Sequence, residues 1–229
     1  MADEQLVCFA RYKQDWIQMS FADVTIVPIG VKDLVITFAA LIGAWVAVQG
    51  LSTWKRQLRG SVEYELTRRL LRTTYRWRES VKAVRSPMVW AQEMPAPSDE
   101  DRKSMSEAEI QHYGYAMAYQ RRWDKVVDAR DALQTELLEA EVLWGKQVLD
   151  IFSTAFELQR ELYVYIYTCL ESENPRTRPG MREAKERVLE KRRNVMYDSS
   201  TPGEEDEFSR DLSTAIAAIE SFLKPHLRK

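Results

Sequence analysis

Metal and thiol chemistry have little to work with in this chain, because its 229 residues include only two histidines and two cysteines. Glu109 and His112 form one E-x-x-H element, which puts both side chains on one helical face, but a di-iron bundle needs two such elements plus further glutamates. The other histidine, His226, lies beyond the last proline, Pro225, without that spacing. Paired cysteines for zinc are absent, as are a glycine-rich phosphate loop, a G-x-S-x-G elbow and a nucleotide fingerprint. Acid groups such as Glu136, Glu139 and Glu141 alternate with basic residues and read as a solvated helix face. No catalytic, cofactor or metal site is therefore expected, and the chain reads as non-enzymatic. A net charge of −2 supplies no global field for nucleic acid. Segments of strand period and internal repeats are missing too, which leaves an all-α fold.

What the chain does have is one long uncharged apolar run, residues 34–51 (LVITFAALIGAWVAVQGL), ending at Trp54, Lys55 and Arg56. As a helix it covers about 27 Å, close to the roughly 30 Å hydrocarbon core of a bilayer. Nine Leu, Val, Ile and Phe residues favour insertion against a single polar Gln49. The competing reading is a core helix apolar on all sides. A signal peptide fits poorly, since the first 33 residues lack a basic n-region and a small-x-small cleavage site. Cys8 has no apolar stretch before it, so a lipoprotein site is not expected.

Lys and Arg number three in residues 1–33 and ten in residues 52–86. The positive-inside rule then puts the N-terminus outside and the C-terminal side in the cytoplasm of a bacterial cytoplasmic membrane. The organisation expected is a short outer segment (1–33), a transmembrane helix (34–54) and one cytoplasmic helical domain (55–229). Leu6, Phe9, Trp16 and Ile17 suggest a weak amphipathic helix outside, with Pro28 and Gly30 turning the chain into the span. Lys55, Arg56 and Arg59 are candidates for contact with anionic lipid. Ala39, Gly43 and Ala47 form a small-xxx-small ridge on which a second helix can pack in lipid. Cys8 and Cys169 fall on opposite sides of the membrane and cannot pair within one chain.

Beyond the span, Leu58, Val62, Leu66, Leu70, Trp77, Val81 and Val84 recur at helical spacing, so an amphipathic helix continues from the span to about Arg85. Ser86-Pro87 ends it and MPAPSDED reads as loop. A second long helix starts at the capping box Ser106 to Glu109 and runs to about Ser172. One seam row passes through Ala116, Trp123, Leu137, Trp144, Ile151 and Leu158. Its companion row, Tyr119, Val126, Leu133 and Ala140, shifts by one residue to Val148, Ala155, Leu162 and Cys169, which predicts a kink or tight break at Gly145. Arg130 falls on the seam and needs an edge position or an acid. A charged helix over about 181–196 and a last helix over about 204–223, with an apolar row of Phe208, Leu212, Ala215, Ile219 and Phe222 and a stop at Pro225, complete an antiparallel long-helix hairpin or bundle. Tyr163, Tyr165 and Tyr167 mark either a helix at the bundle centre or an oligomer or partner surface.

TWKRQLRGSVEYELTRRLLR directly after the span, EAEVLWGKQV in mid-chain and ESFLKPHL near the end resemble uncharacterised bacterial inner-membrane proteins with one N-terminal span and a cytoplasmic, coiled-coil-like helical region. That resemblance implies topology and bacterial origin and no activity. The same residues have ordinary roles: Trp144 and Gly145 as a packed helix break, Glu63 and Glu65 as partners of nearby arginines, Leu223 with Pro225 as a stop. The function expected is self-association or binding of an unidentified protein partner at the inner face of the membrane. The alternative is an oligomerising, pore-forming effector, for which one span with a single polar residue is poor lining. Nucleic-acid binding by residues 55–85 ranks below lipid contact.

Overall fold

The computed structural model describes residues 30–201 and 204–227. The expected outer helix over Leu6, Phe9, Trp16 and Ile17, together with Cys8 and Pro28, lies outside them. Among the described residues the chain is all-α, with six α-helices, two 3-10 turns and no strand beyond one isolated bridge between Thr201 and Glu204. The helices are α1 (Val31–Val84), α2 (Asp99–Arg102), α3 (Glu107–Trp144), α4 (Gln147–Glu173), α5 (Pro179–Glu190) and α6 (Glu207–Leu223). The chain divides into two compact units, Met1–Arg56 and Gln57–Lys229.

In the first unit the described chain is the beginning of α1. The helix starts at Val31, three residues before the apolar run, because Asp33 accepts the Gly30 N–H at 3.2 Å and its negative charge suits a helix N-terminus. From Val31 to Leu51 the large apolar side chains are 48–79 % exposed.

The second unit packs α1 from Gln57 onward with α3, α4 and α6. α3 and α4 form a hairpin: His112 Nε2 bonds the Leu170 carbonyl at 2.8 Å, Trp123 meets Tyr163, and Arg130 covers the Phe156 ring. Its turn is the break at Gly145, which takes φ 75° and ψ −173°, a region open essentially only to glycine. The capping box forms as expected, Ser106 and Glu109 each closing on the other's backbone N–H. α1 runs antiparallel to α3, with Arg69 bonding Glu136 at 2.9 Å and also Glu139, and antiparallel to α6, with Tyr75 donating to Glu220 at 2.9 Å.

Leu66, Leu70, Trp77, Val81 and Val84 line the α1 side of the core. Leu58 and Val62, expected in the same row, are 54 % and 45 % exposed. Glu63 is already level with the C-terminal 3-10 turn (Lys224–Leu227), since His226 Nδ1 lies 4.0 Å from its carboxylate, so Leu58 falls past the ends of the partner helices. On α3 and α4 the companion row Tyr119, Val126, Leu133, Ala140, Val148, Ala155, Leu162 and Cys169 is buried throughout, whereas Ala116, Trp123, Trp144 and Ile151 of the first seam row are half-buried flanks. The expected charged helix is shorter than its sequence pattern. It stops at Glu190, and Val195 and Met196 enter the core from the following loop. MPAPSDED is not wholly irregular, for it carries the single-turn α2, capped by Ser98. The last α-helix ends at Leu223, as expected ahead of Pro225, and passes directly into the C-terminal 3-10 turn.

Two buried arginines tie the connections down. Arg85, 1 % exposed, follows the last residue of α1 and spends its donors on the carbonyls of Val195 and Tyr197 (2.8 Å each), Ser209 Oγ (2.7 Å) and both carboxylate oxygens of Asp206 (3.0 Å), with its plane over Phe208. Asp206 is also the N-cap of α6. Burial works against its charge, but the Ser209 N–H, Asp198 and Arg85 hold its carboxyl well below the ordinary value. Arg122 does the same for the α1–α3 connection, reaching the carbonyls of Ser86 (2.9 Å) and Met88 (2.6 Å) and the Glu93 carboxylate (2.7 Å).

Candidate functional sites

Three features stand out from a well-satisfied bundle: the bare apolar half of α1, a cluster at the Glu63 end of the bundle, and an aromatic cleft along α3 and α4.

The apolar half of α1 carries Ala39, Gly43 and Ala47 at four-residue spacing on one face. A methyl group built on Gly43 meets no atom within 4 Å, and Ala39 and Ala47 are exposed, so the ridge is uncovered among the described residues. Lys55 and Arg56 at its end are exposed and make no ion pair among the described residues. Arg59 differs: it belongs to the second unit and bonds Glu63 at 3.1 Å.

At the Glu63 end of the bundle, residues from all three stretches that carry the family resemblance meet. Glu63 (8 % exposed) faces His226, whose ring lies tilted against Trp144 at 4.7 Å and 5.6 Å from Phe222. Trp144 Nε1 is buried with no acceptor among the described residues. The cluster closes the bundle end, where the helix-break and helix-stop roles read from the sequence are both filled. Glu63 pairs with Arg59, and Glu65 pairs with Arg68 at 3.9 Å.

The tyrosine triplet does not form one surface. Tyr163 and Tyr167, one turn apart, are 46 % and 53 % exposed and stack on each other, while Tyr165, two residues from each, points to the opposite side and is buried at 9 %. Tyr165 therefore leaves the candidate surface and joins the core. Beside Tyr163 opens a cleft of about 500 Å³ lined by Trp123 and Arg130 of α3 and by Ser153, Phe156, Gln159 and Arg160 among the α4 residues. Arg130 pairs with no acid among the described residues; it takes the other expected place, half-buried at the edge of the cleft, with the face of Phe156 4.3 Å from its guanidinium. Gln159, 6 % exposed, accepts from Trp77 Nε1 at 2.7 Å. The cleft was not anticipated from the sequence, although one signal was present: Gln159 is a polar residue beside Leu158 and Leu162 on the buried face of α4.

No group of three or more His, Cys, Asp or Glu residues suited to a metal occurs among the described residues. Glu109, held to about 2 by Arg176 and by the Ser106 cap, and Cys169, pushed up to about 11 by burial and by Glu173, are perturbed for structural reasons. A thiol so raised is a poor nucleophile at neutral pH. No family model, curated protein or solved structure matches this chain.

Proposed function

We propose that this chain is a non-enzymatic, single-pass protein of the bacterial cytoplasmic membrane, with its N-terminus outside. In this reading residues 55–229 hold a helical bundle at the inner face for self-association or for binding a partner protein. The observation that carries the proposal is that the apolar stretch of α1 has a mean hydropathy of 2.1 over eighteen residues and is 0 % buried. A soluble core helix with that composition would be covered by its own chain. Each exposed Leu, Ile, Val or Phe forgoes about 1.5–3 kcal/mol of burial, so a run of nine requires a lipid or protein cover. Lys55 and Arg56, unpaired among the described residues and next to the run, suit an anionic leaflet at on the order of 1 kcal/mol each. Arg59 is a weaker lipid contact, because Glu63 already holds it.

The test is carbonate washing of membranes from cells expressing a C-terminally tagged chain, combined with protease added to intact spheroplasts. Retention with a protected tag is expected, and release by carbonate would overturn the anchor. Self-association through the span is read separately. Since Gly43 has open space around it, Gly43→Ile meets no side chain among the described residues, and a fall in sedimenting mass in detergent is the expected outcome. Unchanged mass removes the ridge from the interface.

A further inference from the structure

We infer that the cleft between α3 and α4 binds a small flat anion, a nucleoside monophosphate in size and chemistry. The inference does not depend on the membrane anchor.

The polarity of the cleft floor follows from one hydrogen bond. An indole N–H only donates, so Trp77 Nε1 fixes the Gln159 amide with its oxygen turned toward Trp77. Gln159 lines the cleft, and its amide NH₂ makes no hydrogen bond among the described residues. A side chain only 6 % exposed, whose oxygen is already committed to Trp77, leaves its NH₂ donors for water or for a ligand that supplies acceptors.

The walls add charge and flat faces. Arg130 and Arg160 both line the cleft, and neither makes an ion pair among the described residues. Glu157 is the one carboxylate of the lining, so the charges there favour a ligand of low negative charge over a polyphosphate. Trp123 and Tyr163 lie 4.9 Å apart at one end, and Arg130 with Phe156 closes the other. Trp123 and Arg130 are two helical turns apart, about 10 Å. That spacing suits a ring against Trp123 and Tyr163 with a phosphate at the arginines. The volume of about 500 Å³ lies in the ordinary range for small-ligand sites.

The test is isothermal titration of the full chain in phosphatidylcholine nanodiscs with AMP, GMP, CMP and UMP, with adenosine and inorganic phosphate as the separate halves of the ligand. Saturable binding of at least one nucleotide is expected, with each half weaker by about tenfold or more. Gln159→Glu keeps the acceptor for Trp77 and exchanges the free donor for an anion, and Arg130→Gln removes a cation. Each should weaken the nucleotide by about tenfold with an unchanged circular dichroism spectrum, whereas Arg187→Gln on α5 should change nothing. Should Gln159→Glu disturb folding, Arg130→Gln decides alone. The assignment is overturned by the absence of saturable binding for all four nucleotides at millimolar concentration. It is equally overturned if phosphate binds as well as the nucleotide, or if Arg130→Gln binds like the parent.

Discussion

Within its 54 residues α1 changes surroundings without changing conformation. From Val31 to Leu51 every large apolar side chain is exposed, and from Leu66 to Val84 the apolar row is buried. The polar residues show the same contrast. Thr67 and Thr74, fully buried, each return a hydroxyl to the carbonyl four residues earlier at 2.7 Å, so the bundle half carries polar side chains inside and satisfies them locally. The first half carries almost none and is uncovered among the described residues. Apolarity is thus greatest where the described residues bury least, the contrast on which the proposed membrane anchor rests, while the bundle half is matched to its own partners.

The largest effect that separates the two halves is expected at Arg85. Removing its side chain strands the Asp206 carboxylate and two carbonyls in a buried site, at a cost of about 3–5 kcal/mol. Arg85→Ala should therefore lower the thermal unfolding midpoint of the bundle, measured by circular dichroism in nanodiscs, while leaving carbonate-resistant membrane retention intact. A variant that also leaves the membrane would show that the halves are not independent.

The complementary substitution lies in the other half. Ile42, 62 % exposed, sits at the centre of the apolar run. Ile42→Arg costs about 2.5–3.5 kcal/mol of insertion at mid-bilayer and nothing in bundle packing. Retention after carbonate should fall while Trp77 keeps its buried fluorescence. Full retention would indicate that the run is covered by protein.

A smaller effect sharpens the bundle side alone. Gly145 holds its backbone conformation in open space, so Gly145→Ala meets no atom within 4 Å and is penalised only by φ 75°. About 1–3 kcal/mol of destabilisation is expected in denaturant unfolding. An unchanged midpoint would mean that the α3–α4 turn re-forms in another conformation.

Local patterns made much of this fold legible. The capping box at Ser106, the register shift around Gly145 and the Phe208, Leu212, Ala215 and Ile219 row of α6 are each written within a few turns of one helix, and each takes its expected place. Contacts between distant elements were not legible. Arg85 finds partners 110–124 residues away, and from the sequence it was one of ten basic residues after the span, counted as part of the orientation signal. Leu58 and Val62 continue the α1 periodicity, yet where the partner helices end is decided by other segments. Tyr165 was grouped with Tyr163 and Tyr167 by proximity in sequence, while a helix sorts them by 100° per residue. The cleft depends on Trp77 orienting Gln159 across 82 residues, a pairing that periodicity within either helix does not reveal.

The smallest effect concerns acid, and its sign follows from the depressed carboxyls, all of them in the bundle. Asp206, Glu109 and Glu220 all lie below their ordinary values of 3.8 for Asp and 4.5 for Glu. The stability they contribute is fully present above those values and is lost as pH falls through the lowered ones, down to about 2 for Glu109. Burial raises Cys169 from 9.0 to about 11, so the folded thiol stays neutral where the unfolded one ionises, and stability declines again over that window. The bundle should therefore unfold at a nearly constant temperature from above pH 4.5 to pH 9, with a fall on either side. Glu109 is the sharpest probe of the acid limb and the weakest in size, since it meets Arg176 at the surface, where salt screens the pair. Glu109→Gln should sit slightly below the parent at pH 7 and converge with it as pH approaches 2, where the parent's carboxyl becomes protonated. A gap that widens on acidification would mean that Glu109 gains its proton early, and that the Ser106 cap and Arg176 do not hold its charge.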